Sequence, residues 1–306
     1  MMLTKEGWEA ARSFLFSHAR PLEQKLFTYH FENGSREDAV IELANFQNSD
    51  GGFGNSLEPD FRLERSSPLA TTVGLQIARD LHVDKDHPVI VKAMHYLEST
   101  YDVQMETWHA VPPEVNNVPH APWWHFDERK GFCGVQTTWA NPNAEIVGYF
   151  HLYQKENPLL EDWTKKASVE LAKLPRPVNH HDFLCYSRLF QHLPDHEEIK
   201  KDIYLSLSET VDETVCKDPA KWNEYVAKPL DIAPFPSSPF HEELKKETEI
   251  QLDAEINSQH EIGCWQPSWS WFGEYEETWK KAENEWSGIL TLSMLRSLDS
   301  FGKINR

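Results

Sequence analysis

Apolar residues recur along this chain at the spacing of one helix face, and the strict alternation that marks half-buried strands is nearly absent. The pattern predicts about a dozen helices, near 5–18, 21–32, 35–47, 67–82, 87–101, 141–155, 159–173, 179–192, 195–212, 218–226, 240–259 and 281–299. Two kinds can be told apart. In 87–101, Ile90, Ala93, Met94 and Leu97 fall at i, i+3, i+4 and i+7, which describes an outer helix with one buried face. By contrast PLATTVGLQIA (68–78) and AEIVGYFHLY (144–153) are apolar or small nearly all round and need neighbours on several sides. Such a run of wet and dry helices predicts an all-α fold of about six helical hairpins arranged around an axis, in a single domain over 1–306.

The punctuation agrees with the periodicity. Ser35 precedes a helix with Asp38 in the capping-box position, and Ser67-Pro68, Asn141-Pro142 and Asn157-Pro158 each place a capping side chain before a proline at the first helical position. The proline-rich segment KPLDIAPFPSSPF (228–240) is expected to be non-helical surface chain. The first sixteen residues mix charges into the apolar positions, which reads as a helix and not a signal peptide.

Composition narrows the partners. A formal net charge of −19 repels nucleic acid and anionic membrane surfaces, and no apolar run is long enough to span a bilayer. The expectation is a cytoplasmic protein acting on a small molecule, with no nucleic-acid or integral-membrane partner. The four cysteines are too irregularly spaced for a zinc ribbon or a disulfide framework, so free thiols are expected. No metal site and no cofactor are predicted; His181 and Cys185, one helical turn apart, supply only two zinc ligands where a closed site takes four.

The stretch NFQNSDGGFGNSLEPDFR (45–62) holds a glutamine, a glycine-rich turn and then three charges. The preceding helix running into Phe46-Gln47 and Asp-Gly-Gly-Phe-Gly resembles the QW-type repeat of the terpenoid cyclase and protein prenyltransferase superfamily, the squalene cyclase-like proteins. A degraded second copy is IQLDAEINSQHEIGCWQPSWSW (250–271), where Gln259 precedes Gly263-Cys264-Trp265, and a weaker third is KGFCGVQTTW (130–139). The resemblance implies an α/α toroid whose inner helices line a central cavity, with the glutamine amide satisfying helix-end backbone groups. It does not extend to the chemistry of the known members. The Asp-x-Asp-Asp acid motif, the Asp-x-Cys zinc pair, the Gly-Cys-Gly-Glu-Gln thioester and the Asp-Asp-x-x-Asp magnesium run are all missing.

What remains are local clusters. In an extended chain Glu58, Asp60 and Arg62 share a side; burial near aromatics would raise the pKa of one carboxyl while Arg62 holds the other ionised, keeping an acid for proton donation. An ion-paired loop clamp explains the same residues. Asp60 is the first candidate acid and Glu58 the second. The loop NNVPHAPWWHFDE (116–128) gathers His120, Trp123, Trp124, His125 and Asp127, either lining a ligand or plugging one end of a barrel. Glu145, in an otherwise apolar helix, reads as an active-site carboxylate or as a partner of the helix dipole. Trp265, Trp269 and Trp271 form either a platform at a cavity mouth or a fold-closing plug.

Two functional classes follow, with a third beside them. The first is acid-initiated chemistry on an isoprenoid or similar apolar substrate, with aromatic faces stabilising the cation. The second is a carbohydrate-active α/α-barrel hydrolase or lyase in which Asp60, Glu145 and histidines do acid–base work. The third is non-catalytic small-molecule binding. An inner wall of Trp, Phe and Leu favours the first, and one dense in Asp, His, Asn and Arg favours the second.

Overall fold

The computed structural model describes residues 1–195 and 197–306, and it is all-α. The helices are α1 (Lys5–His18), α2 (Pro21–Phe31), α3 (Arg36–Ala44), α4 (Pro68–Asp80), α5 (Pro88–Ser99), α6 (Ala140–Tyr153), α7 (Leu160–Leu171), α8 (His180–His192), α9 (Glu198–Ser208), α10 (Val211–Thr214), α11 (Pro229–Ile232), α12 (His241–Ser258) and α13 (Glu276–Ser300). The strands β1 (Phe126–Asp127) and β2 (Phe132–Cys133) make one antiparallel ladder of two residue pairs. No helix among the described residues is long and apolar enough to cross a membrane.

Eleven of the twelve expected helices are present, most within a few residues of where periodicity put them, and capping accounts for some of their starts. The Ser67 hydroxyl accepts the Ala70 N–H at 3.1 Å and the Ser35 hydroxyl that of Asp38 at 3.3 Å. The Asn157 side chain accepts the Leu159 N–H at 3.0 Å in the turn ahead of α7, and the expected Asn141 cap is not made, since α6 begins at Ala140 with no side-chain cap. Two further expectations fail. The segment at 218–226 holds only a 3₁₀ turn, Pro219–Lys221, and the proline-rich stretch opens with the one-turn helix α11, because proline fits the first helical position. Residue 196, inside the segment expected at 195–212, lies outside the described residues.

The chain forms two compact units. One comprises Met1–Glu42 and Val211–Arg306, and the other Leu43–Thr210, with α3 running across their boundary. In the second unit α6 packs against α4 and α8, and α5, α7 and α9 lie against these three. Every residue of α6 from Ala140 to His151 is buried, as its all-round apolar character requires. In the first unit the long helix α13 packs on both α1 and α2.

Each unit contains the same loop. Gln47 donates to the carbonyls of Gly51 at 2.8 Å and Val89, in the first turn of α5, at 2.9 Å. Gln259 donates to the carbonyls of Gly263 at 2.8 Å and Gly7, in the first turn of α1, at 2.9 Å. Gly51 and Gly263 have φ of +93° and +94°, and a Cβ on either would meet a helix backbone carbonyl, that of Lys92 or of Ala10. Six residues after each glutamine an aromatic N–H donates to a threonine hydroxyl on a following helix: Phe53 to Thr71 at 2.9 Å, and Trp265 to Thr291 at 3.1 Å. The segment 130–139 does not repeat this arrangement. Its Gln136 instead brackets Trp108, accepting the Ala110 N–H at 2.9 Å and donating to the Trp108 carbonyl at 2.6 Å.

Candidate functional site

Asp60 and Glu58 are 4% and 7% exposed, a rare state for carboxylates. The chain here is not the extended strand that alternation suggests: Asn55 and Ser56 have positive φ, and the Asp60 N–H turns back to Glu58 Oε1 at 3.4 Å. Only Phe61 pairs in strand fashion, and its partner is His120. The Ala121 N–H donates to the Asp60 carbonyl at 2.7 Å and the Arg62 N–H to the Pro119 carbonyl at 2.9 Å, so the acidic turn and the Pro-Trp-Trp loop are joined through their backbones.

That pairing seats the loop's side chains beside the carboxylate turn. His120 is buried, with Nδ1 2.7 Å from the Val118 carbonyl and Nε2 3.2 Å from Nδ1 of His125, whose ring lies nearly parallel to it. The Val118 carbonyl makes His120 Nδ1 a donor, which leaves Nε2 as the acceptor in the neutral ring. Trp124 is buried with its ring edge-on to Phe61, centroids 5.3 Å apart, and its indole N–H has no hydrogen-bond partner among the described residues. Arg62 extends a guanidinium N–H to the Pro59 carbonyl at 3.3 Å and closes the turn. Trp123, half-buried, precedes Trp124 in a single 3₁₀ turn (Pro122–Trp124).

Glu145 occupies a different setting. Its Oε1 accepts from the Tyr149 hydroxyl at 2.7 Å and Gln76 Nε2 at 2.8 Å, and its Oε2 pairs with Arg188 Nη1 at 2.8 Å. The carboxylate is 2% exposed and the Arg188 side chain 24%. Burial works against the Arg188 charge, yet Glu145 leads the groups that hold its pKa above the usual value. Burial, then Glu145, pushes the Tyr149 phenol well up, so it stays a donor. A carboxylate engaged by three partners is a clamp holding α4, α6 and α8 together, not a free acid or base.

The acid that burial keeps close to neutral is one that spacing did not single out. Asp182, in the first turn of α8, has its pKa raised by burial to about 6, against a hydrogen bond from Thr138 that lowers it. One turn on, burial pushes the Cys185 thiol well above its ordinary value, and its sulfur lies 3.7 Å from Asn141 Oδ1. Burial likewise holds His181 neutral down to about 3. An acidic residue in a first turn beside the capping residue Asn179 reads from sequence as a dipole partner; only the packing of α8 on α6 buries it. No group of three His, Cys, Asp or Glu side chains gathers in metal-holding geometry among the described residues.

Four other candidates serve structure. Asp127 caps the β1–β2 turn, accepting from the N–H groups of Arg129 at 2.9 Å and Lys130 at 3.3 Å, and the Arg129 bond leads in holding its pKa down. Trp265 is buried and donates its indole N–H to the Glu255 carbonyl at 2.9 Å, and Trp271 is fully buried against Tyr275 and Trp279. Trp269 stands edge-on to Tyr225 and Trp286. Three tryptophans packed this way behave as a plug, and two have no face open to a ligand. Compared with protein-family models, curated proteins and solved structures, the chain matches none.

Proposed function

We propose that the chain is an enzyme that uses the Glu58–Asp60 turn as its acid centre, on an α/α-toroid scaffold like that of the terpenoid cyclases and protein prenyltransferases. The observation that carries this reading is the joining of two buried carboxyl groups, through one backbone pairing, to a buried imidazole and an indole with an unmatched N–H. Burial away from water favours the protonated form of a carboxyl group, which is what an acid near neutral pH requires. Asp60 donates that proton. The Nε2 face of His120, relayed to His125, accepts one in return, and Trp123 and Trp124 form the aromatic wall. On an isoprenoid-like substrate the donated proton goes to an alkene and the indoles face the cation, each contact contributing about 0.5–2 kcal/mol.

The scaffold reading rests on the duplicated glutamine loop and on helix order: α4, α6 and α8 pack in sequence with α5, α7 and α9 against them, and α13 returns to α1 and α2. A second reading, acid–base chemistry on a sugar-like substrate, is favoured by one observation. Helices α4, α6 and α8 carry a polar cluster of Gln76, Arg79, Glu145, Arg188 and His192 beside their apolar contacts.

The deciding experiment incubates the protein with a panel of linear isoprenoids and a panel of oligosaccharides and analyses products by mass spectrometry, with Asp60→Asn alongside. Turnover in one panel, lost in the variant, supports the acid centre and selects the substrate class. Turnover that persists in Asp60→Asn contradicts the assignment.

A further inference from the structure

A polar cluster apart from the acid turn has its own unmet chemistry. Arg79, in the last turn of α4, gives Nε and Nη2 to Asp80 Oδ1 at 3.2 and 2.9 Å, while its Nη1 is buried with no partner among the described residues. His192, at the end of α8, has a buried Nε2 in the same condition. Its ring lies 5.7 Å from that of Tyr149, and Tyr149 in turn stacks on Tyr153 at 6.3 Å. After burial, the nearby charges of Arg79 and Arg188 do most to keep His192 neutral, down to about 4. The imidazole is therefore neutral at ordinary pH, and its Nε2 tautomer presents an N–H. A buried donor left unmade is costlier than a made bond is favourable, so two such groups in one cluster mark a place built for a third party.

We propose that Arg79 and His192 form a binding site for a single carboxylate group. Two donors match the two oxygens of a carboxylate, and a guanidinium N–H to carboxylate bond is of the strong, charge-assisted kind. The local frame is already formally neutral, since Asp80 offsets Arg79 and Glu145 offsets Arg188. A monoanion adds one negative charge to it; a phosphate adds nearly two and leaves oxygens without donors. The Arg79 side chain is 27% exposed, and Tyr153, which stacks on Tyr149, lines a neighbouring cavity of about 710 Å³. The site does not depend on the acid centre proposed at Asp60.

Thermal-shift titrations with acetate, benzoate and inorganic phosphate, each against potassium chloride at matched ionic strength, test the assignment. Acetate and benzoate are expected to give a saturable rise in melting temperature in the wild type, with affinity weakened at least about tenfold in Arg79→Gln and in His192→Phe. Arg79→Lys keeps the charge but not the fork, and is expected to weaken binding in the same direction, which covers the case of an unfolded Arg79→Gln. Phosphate is expected to bind more weakly than acetate. No saturable shift beyond chloride, an unchanged affinity in the variants, or tighter binding of phosphate than of acetate would overturn the proposal.

Discussion

Gln47 and Gln259 make the same two hydrogen bonds, each bridging the carbonyl of a glycine four residues on to a carbonyl in the first turn of another helix. Each glutamine amide thereby ties its loop to the start of a helix, adding a second hydrogen bond to a first-turn carbonyl. Replacement by alanine is expected to cost about 1–3 kcal/mol at either position, because two hydrogen bonds that tie the loop to a helix are lost together. Urea unfolding with equal midpoints for wild type and variants would remove the clamp.

The glycines in those loops are held by the same logic. Gly51→Ala and Gly263→Ala force a side chain into positive φ and into a helix carbonyl at once, and each is expected to lose more than about 1–3 kcal/mol. Gly131 also has positive φ, at +78°, but a Cβ there meets nothing within 4 Å. Gly131→Ala is therefore the control, expected to lose only the conformational share, about 1 kcal/mol. Equal losses at all three positions would mean that the close approach to α1 and α5 carries no weight.

Glu145 and Arg188 give a sharper prediction. Removing one partner leaves the other charged and poorly solvated, so Glu145→Leu and Arg188→Met are each expected to cost about 3–5 kcal/mol, while the double variant Glu145→Leu/Arg188→Met recovers part of that loss. A double-mutant cycle read by chemical denaturation checks it. Additive losses would show that the pair does not interact energetically.

How much of this was legible in the sequence follows from which signals are local. Helix positions were, since capping by Ser35 and Ser67 and the periodicity of α5 are properties of a few consecutive residues. The duplicated loop was legible through Gln47 and Gln259 for the same reason. Roles set by packing were not. Glu145 looks like a lone carboxylate in an apolar helix until Gln76, 69 positions away, and Arg188, 43 positions away, fold onto it. Asp182 looks like an ordinary first-turn acid until α8 is buried against α6. Glu58 and Asp60 were expected on an extended segment, but positive φ at Asn55 and Ser56 makes a turn where alternation assumed a strand.

Asp182 sets a pH signature. Its folded pKa, about 6, lies above the ordinary aspartate value, so between about pH 4 and 6 the native state holds a proton that the unfolded chain has released. Stability at this position is thus greatest below pH 4 and falls as pH rises through 6. Asp182→Asn is expected to gain on the wild type across that window, by up to about 3 kcal/mol at pH 7, with the difference vanishing near pH 3.5. Unfolding curves of the two proteins at several pH values measure it, and a difference independent of pH would assign the carboxyl an ordinary pKa.

The central claim is that the buried turn at Asp60 supplies the acid, and Asp60→Asn tests it most directly because the change keeps the shape and removes the proton. The measurement is product formation by wild type and variant on whichever isoprenoid or oligosaccharide the panel identifies, read with the melting temperature of each. A variant that retains stability within about 1 kcal/mol while losing at least about 100-fold in turnover is the predicted result. Full activity in a folded Asp60→Asn protein would contradict it and leave the turn as a clamp between the two loops.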